Sequence, residues 1–247
     1  MKSDPTRTKM LRISYEKMLI RKFKQFIHNI IPMLKPVIKQ QQNNMYTFAT
    51  REIETIVDYE LYVTVENHLN FDIERYTNQA YKRGIGNAKT EIQRASHGQI
   101  IPSEFVTPLD VEAMNILRDN NVVLVKNVGY DSRKNIVRII NEGILQGQGI
   151  PKIARNLKKN ISDLTSKRSK VIARTEIIRG YNQASINRYK NNGIRMYEWL
   201  TAFDDRTCDD CAGMDGSRHP VDGGVRPPLH PNCRCTVIPV IGKNMGG

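Results

Sequence analysis

Apolar residues recur along this chain mostly at three- and four-residue steps, the period of helices that bury one face. Leu11, Tyr15, Met18, Leu19, Phe23, Phe26, Ile27 and Ile30 line one side of a helix predicted over 8–31, which Pro32 and Pro36 should end. A second helix is predicted over about 45–69, with Met45, Phe48, Ala49, Ile56 and Val57 inward; β-branched residues in 58–66 weaken it. A third covers roughly 71–96. There Tyr76, Ala80, Gly84 and Ala88 step by four, and the small residues predict a close helix–helix approach.

Residues 97–107 read as a loop, and Thr107-Pro108 as an N-cap with proline at the first helical position. Val111, Met114 and Leu117 give the next, short helix its apolar face, while Val122–Val125 fits either a strand or a buried connector. Ser132 is placed to cap a helix through Gln146, which Gly147 and Gly149 close before Pro151 opens another. This pair is read as an αα-hairpin. A helix-turn-helix would need a recognition helix after a short turn, and Lys158-Lys159-Asn160 follows instead.

A long helix is predicted from about Thr165 to Lys190 and stops at Asn191-Asn192-Gly193. It carries Arg174-Thr175-Glu176, with Arg179 and Asn182 following on the same side, a polar ladder that suits either a buried network or a solvated stripe. Ile194–Ala202, with the single tryptophan Trp199, reads as a strand, and Thr236–Ile238 as its partner. The fold class is therefore α+β, mainly α: a helical N-terminal arm and a helical domain ending in a small β-hairpin module.

All four cysteines lie in the long loop 203–235 between those strands: Cys208-x-x-Cys211, then Cys233-x-Cys235, with His230 just before the second pair. Thiolates and imidazole are zinc ligands, and one tetrahedral ion needs four of these five. Two disulfides would require an oxidising compartment, and Met1–Arg7 lacks the apolar run of a secretory leader. Five candidate ligands favour a closed structural Zn²⁺ site over a catalytic one with an open position. No H-x-E precedes the cysteines and no H-E-x-x-H is present, so the deaminase and metalloprotease patterns are missing. Asp204, Asp205, Asp209, Asp210, Asp215 and Asp222 cluster nearby and read as turn chemistry. The competing use is a metal-dependent nuclease, with these acids and His219 or His230 as base.

Charge adds a partner. The net charge is +13, and residues 1–40 carry ten Lys/Arg against two acids, residues 151–200 twelve against three. Two basic blocks on an otherwise balanced chain suit phosphate backbone or an acidic protein surface. The candidate contacts are Arg12, Lys17, Arg21, Lys22 and Lys24, then Lys158, Lys159, Lys167, Arg168 and Lys170. No apolar run is long enough to span a membrane.

Taken together, Ala173-Arg174-Thr175-Glu176, Asn182, Tyr189, Gly193, Trp199, Asp204-Asp205-Arg206-Thr207-Cys208-x-x-Cys211, Gly216 and Pro227-Pro228-x-His230-Pro231-Asn232-Cys233-Arg234-Cys235 resemble the phage head morphogenesis family, the Mu F-like minor capsid proteins. The resemblance covers roughly 110–240 and leaves the N-terminal third unmatched. It implies a division into a basic helical region, 1–105, and a head morphogenesis domain, 106–247, with the zinc module at 203–240. It also implies a minor head protein of a tailed phage or prophage, made in the host cytoplasm and housed inside the capsid near the portal. Portal protein, capsid or scaffold components and packaged DNA are the implied partners, without sequence-specific contact and without a membrane. No enzymatic activity is implied. Some members carry an appended toxin-like domain, which a chain ending at Gly247 is expected to lack. The family's cysteines and histidine map onto Cys208, Cys211, His230, Cys233 and Cys235, and the pattern does not choose four.

Overall fold

The computed structural model describes residues 6–43, 49–103, 105–202 and 204–241. Among them run helices α1 (Lys9–Asn43), α2 (Ala49–Tyr62), α3 (Asn70–Ala95), α4 (Pro108–Leu145), α5 (Ile150–Asn191) and the short α6 (Asp209–Met214), with a π-helical stretch Val63–Leu69 between α2 and α3. The strands are β1 (Met196–Leu200), β2 (Arg218–Pro220) and β3 (Thr236–Val240), in a three-stranded antiparallel sheet of order β2-β1-β3. The chain is mainly helical with a small C-terminal sheet, as the periodicity indicates. Met45 and Phe48 lie outside the described residues.

Several predicted helix ends are not ends. α1 continues through Pro32 and Pro36 because the apolar stripe continues: Leu34 and Ile38 are buried, while both prolines are exposed. On that side water can satisfy the carbonyls each proline leaves unpaired. Ser132 caps nothing. It lies inside α4, and its hydroxyl donates to the Val128 carbonyl at 2.7 Å. Val122–Val125 is neither strand nor connector but part of the same helix, with Val125 and Val128 inward and Val123 outward. α5 likewise runs unbroken through 158–165, where Ile161, Thr165 and Ser169 are buried. The β-branched stretch that weakened the second helix is α-helical to Tyr62 and takes the wider π geometry from Val63. The αα-hairpin is present: α4 turns into α5 at Gly147, whose φ is +63°, with Gln148 N–H bonded to Gly143 O at 2.8 Å.

Two compact units share the chain. The first comprises Met1–Ser14, Glu74–Asn120 and Val171–Gly247; the second comprises Tyr15–Ile73 and Asn121–Lys170. Each draws on residues from both sides of position 105, so the units interleave in sequence.

In the first unit, Ala88 and Ile92 of α3 pack with Ile186 and Tyr189 of α5 and with Tyr197, Val221 and Val237 around the sheet. The small-residue stripe does what its spacing predicts. A Cβ on Gly84 would meet the Tyr181 carbonyl oxygen at 2.2 Å, so α3 and α5 touch backbone to backbone there. Thr107 and Asp110 cap α4 reciprocally, with Thr107 N–H bonded to Asp110 Oδ2 at 2.8 Å and Asp110 N–H to Thr107 Oγ1 at 3.3 Å. Asp110 also accepts from Tyr81 Oη at 2.8 Å and pairs with Arg188 of α5 at 3.3 Å. Arg188 in turn donates to the carbonyls of Ser103 and Phe105, which pins the loop before α4.

Candidate metal centre

The cysteine cluster grows out of the sheet. Cys208 caps α6, and its sulfur accepts from Cys211 N–H at 3.5 Å, so the C-x-x-C knuckle folds both sulfurs to one side. Just after β1, Thr201 donates its hydroxyl proton to Cys211 O at 2.9 Å and its N–H to Asp215 at 2.7 Å. Cys233 and Cys235 enter just before β3, with Cys233 N–H bonded to His230 O at 3.1 Å. Trp199 and Met214 pack against the three buried sulfurs of Cys211, Cys233 and Cys235.

All five predicted ligands meet here. Cys208, Cys211 and His230 form one group, and Cys211, Cys233 and Cys235 another, the donor atoms within each lying within 4.8 Å of one another. His230 Nε2 is 3.2 Å from Cys208 Sγ and 3.1 Å from Cys211 Sγ, and Cys211 Sγ is 3.8 Å from Cys233 Sγ. That last spacing matches the edge of a tetrahedron with metal–sulfur bonds of about 2.3 Å, roughly 3.8 Å. Cys211 is the sulfur both groups share.

The donor set suits a borderline-soft ion. His230 Nδ1 lies 2.8 Å from the Pro231 carbonyl, which can only accept, so Nδ1 carries the proton and the Nε2 lone pair points among the sulfurs. This bond raises the imidazole pKa. Cys208 is lowered by the Cys211 backbone N–H, and Cys233 by the Cys235 thiol bonded to it. Cys235 is raised through that same bond, and burial raises Cys211. The buried Trp199 indole N–H has no ordinary hydrogen-bond partner; it sits against Cys235, where a metal-bound thiolate would accept it.

Thr175, Glu176 and Asn182 of the polar ladder on α5 are buried, Arg179 is exposed, and the buried part carries the ligand loop. Thr175 Oγ1 accepts from Asn232 N–H at 3.1 Å, beside a backbone held at φ +64°. Asn182 donates to the Cys235 carbonyl at 3.1 Å and accepts from Thr236 Oγ1 at 2.9 Å. Glu176 is buried, burial raises its pKa, and Arg179 pairs with it at 3.2 Å.

Tyr189 adds a titratable anchor. Its hydroxyl contacts both Glu91 of α3 and the Val237 carbonyl of β3, the latter at 3.1 Å, and has one proton to give. A protonated Glu91 can donate to Tyr189 while Tyr189 donates to Val237; an ionised Glu91 takes the tyrosine proton for itself. Burial lifts Glu91 from its ordinary 4.5 to about 7, against the downward pull of Tyr189, Asn87, Arg94 and Arg7. Below pH 4.5 both the folded and unfolded chains hold this proton, and the contribution is fully present. As pH rises to about 7 the unfolded chain releases it first, so stability should fall by on the order of 3 kcal/mol and then level off. Glu91→Gln is expected to flatten this part of the stability–pH curve in thermal unfolding. An unchanged curve would assign the pH dependence elsewhere.

The aspartates have structural partners. Asp204 forms a two-pronged ion pair with Arg234 and bonds to Arg206 at 3.0 Å, and the Arg234 contact lowers its pKa well below the carboxylate range. Asp215 holds Thr201, and Asp222 pairs with Lys190 at 2.7 Å. His219 bonds Ser217 Oγ at 2.9 Å beside Tyr197 and Trp199. Among the described residues, no carboxylate joins a cluster of three or more metal-type ligands. Both residues of the Asp204–Arg234 pair stand in the motif, but nothing in their spacing pairs them.

Of the basic candidates, Lys17, Arg21, Lys24, Lys158, Lys159, Lys167 and Lys170 are exposed. Arg12 is buried, Lys22 is half-buried and lies 3.9 Å from Asp72, and Arg168 is paired with Asp131.

Residues 134–238, which contain the whole cluster and its supporting ladder, match the family model described as phage Mu protein F like protein. This part of the chain is Mu F-like. The match is narrower than the 110–240 expected from the motifs. A protein of Haemophilus influenzae strain Rd is 23% identical over 239 residues, covering 91% of this chain and 53% of that protein. Its alignment therefore reaches well into the N-terminal third, outside the Mu F-like region. A protein of Methanocaldococcus jannaschii is 24% identical over 194 residues, covering 72% of this chain and 30% of its own length. The chain thus spans about half of one relative and under a third of the other, and both relatives are named as uncharacterized. No solved structure matches. Among the described residues no helix is long and apolar enough to cross a membrane.

Proposed function

We propose that this chain is a minor head protein of a tailed phage or prophage. The observation that carries this reading is the Mu F-like match over the segment that folds around the five-ligand cluster. In this reading the cluster holds a structural Zn²⁺ through four of Cys208, Cys211, His230, Cys233 and Cys235, and the ion fixes the loop between β1 and β3. Bound there, zinc supplies cross-linking of the loop. The chain's own residues do the rest: Thr175 and Asn182 seat the loop on α5, and Trp199 keeps water from the sulfurs.

The role is architectural and not catalytic, supported by the engagement of Asp204, Asp215 and Asp222 in ion pairs and turn bonds. The site of action proposed is the inside of the capsid near the portal, with portal protein, capsid or scaffold components and packaged DNA as partners. The test is to purify heads from induced cells, quantify the chain against the major capsid protein, and probe them for its co-purification with portal. Few copies per head, retained with portal, are expected; its absence from heads would overturn the reading.

A further inference from the structure

Two rows of cations run along neighbouring helices of the second unit. In α1, Lys17, Arg21, Lys24, Lys35 and Lys39 are all exposed and recur at intervals of three, four and eleven residues. At 100° per residue they fall within roughly 60° of one another, away from buried Phe26, Ile30 and Leu34. In α5, exposed Lys152, Arg155, Lys159 and Lys170 share a face in the same way, with Lys158 and Lys167 beside them and Asp163 as the one acid. The helices are neighbours: Leu34 and Ile38 meet Ile150, Ala154 and Leu157 around a small cavity with Lys35 at its edge. Gln42 also donates to the Gln148 carbonyl at 2.9 Å, so the pair is antiparallel.

We propose that this double row is a surface for double-stranded nucleic acid, gripping its phosphates without reading its bases. The choice of ligand rests on the head-protein reading; the surface is new, and it replaces Arg12, Lys22 and Arg168 with Lys35, Lys39, Lys152 and Arg155. Three features favour a duplex. Lys17 to Lys39 spans about 33 Å at 1.5 Å per residue, close to one duplex turn. No Phe, Tyr or Trp side chain is exposed on the α1 row between Lys17 and Lys39 or on the α5 row, whereas single strands are held by stacking. Nor do the rows offer a large exposed aliphatic anchor of the kind that centres a protein–protein contact.

The experiment uses the full chain and a labelled duplex of arbitrary sequence, titrated between 50 and 200 mM salt. With about four phosphates engaged, affinity should fall on the order of 100-fold across that range. A variant with Lys17, Arg21, Lys24, Lys35 and Lys39 all changed to Gln should bind at least about tenfold more weakly at the lower salt, with a shallower salt slope. Its helical circular dichroism and metal content should match the parent, since the changed side chains are exposed. Equal binding by the variant, salt-independent binding by the parent, or equal competition by single-stranded DNA or polyglutamate would overturn the proposal, the last pointing to an acidic protein. Quantifying the variant in purified heads separates the two readings: a chain missing from heads even in parental form sinks the head-protein reading and leaves the duplex measurement intact.

Discussion

In the zinc reading, Cys211→Ser is expected to leave the purified chain without metal and to melt the module between β1 and β3. Cys211 is the sulfur common to both ligand groups, so neither group survives its loss as a three-donor set. Structural zinc in small sites contributes an apparent ~10–16 kcal/mol at neutral pH, larger than the whole stability of many domains. The oxygen of serine is a poor substitute for a thiolate, and most of that contribution should go with it. Elemental analysis under reducing conditions gives the first readout: about one Zn²⁺ per chain in the parent, little in the variant. Trp199, the single tryptophan, packs on Cys211, Cys233 and Cys235, so its emission should shift red as water reaches it. Most helical circular dichroism should remain. Asp209→Asn, an exposed neighbour outside both groups, is the control. A parent with no stoichiometric metal would end the zinc reading.

Arg188→Ala is expected to cost about 3–5 kcal/mol in a denaturant titration. Arg188 and Asp110 are both essentially inaccessible, and the guanidinium also donates to the carbonyls of Ser103 and Phe105. Truncation leaves a buried carboxylate with Tyr81 and Thr107 as donors but no countercharge, and two carbonyls with one donor fewer. Asp110→Asn removes the charge and keeps the shape. A double-mutant cycle between the two positions should therefore show a coupling above ~1 kcal/mol. Additive effects would mean that the arginine acts through its carbonyl bonds alone.

The sequence speaks clearly where chemistry is local. Two cysteine pairs and a histidine at ligand spacing led to a five-donor cluster, and the four-residue step through Ala80, Gly84 and Ala88 led to the α3–α5 contact. It speaks less clearly where local signals compete with packing. Pro32, Pro36 and Ser132 carry the marks of helix termini, but buried Leu34, Ile38 and Val128 keep α1 and α4 continuous past them. β2 is three residues with no apolar pattern, and it exists through pairing with β1, assisted by Trp199 N–H to Ser217 O at 2.8 Å. The choice between buried network and solvated stripe for Thr175 and Asn182 depended on where Asn232 and Cys235 come to lie, which no periodicity encodes.

The interleaving of the two units bears on how the Mu F-like segment can be handled. A fragment starting at residue 106 would keep every cysteine and both strands of the β1–β3 pair, but it would discard Ala88, Ile92 and Glu91. Ile186 would then lose two apolar neighbours and Tyr189 its carboxyl partner, on the side of α5 that supports the sheet. The part that carries the family likeness borrows a wall from the part that does not, so recombinant work on it should begin no later than α3.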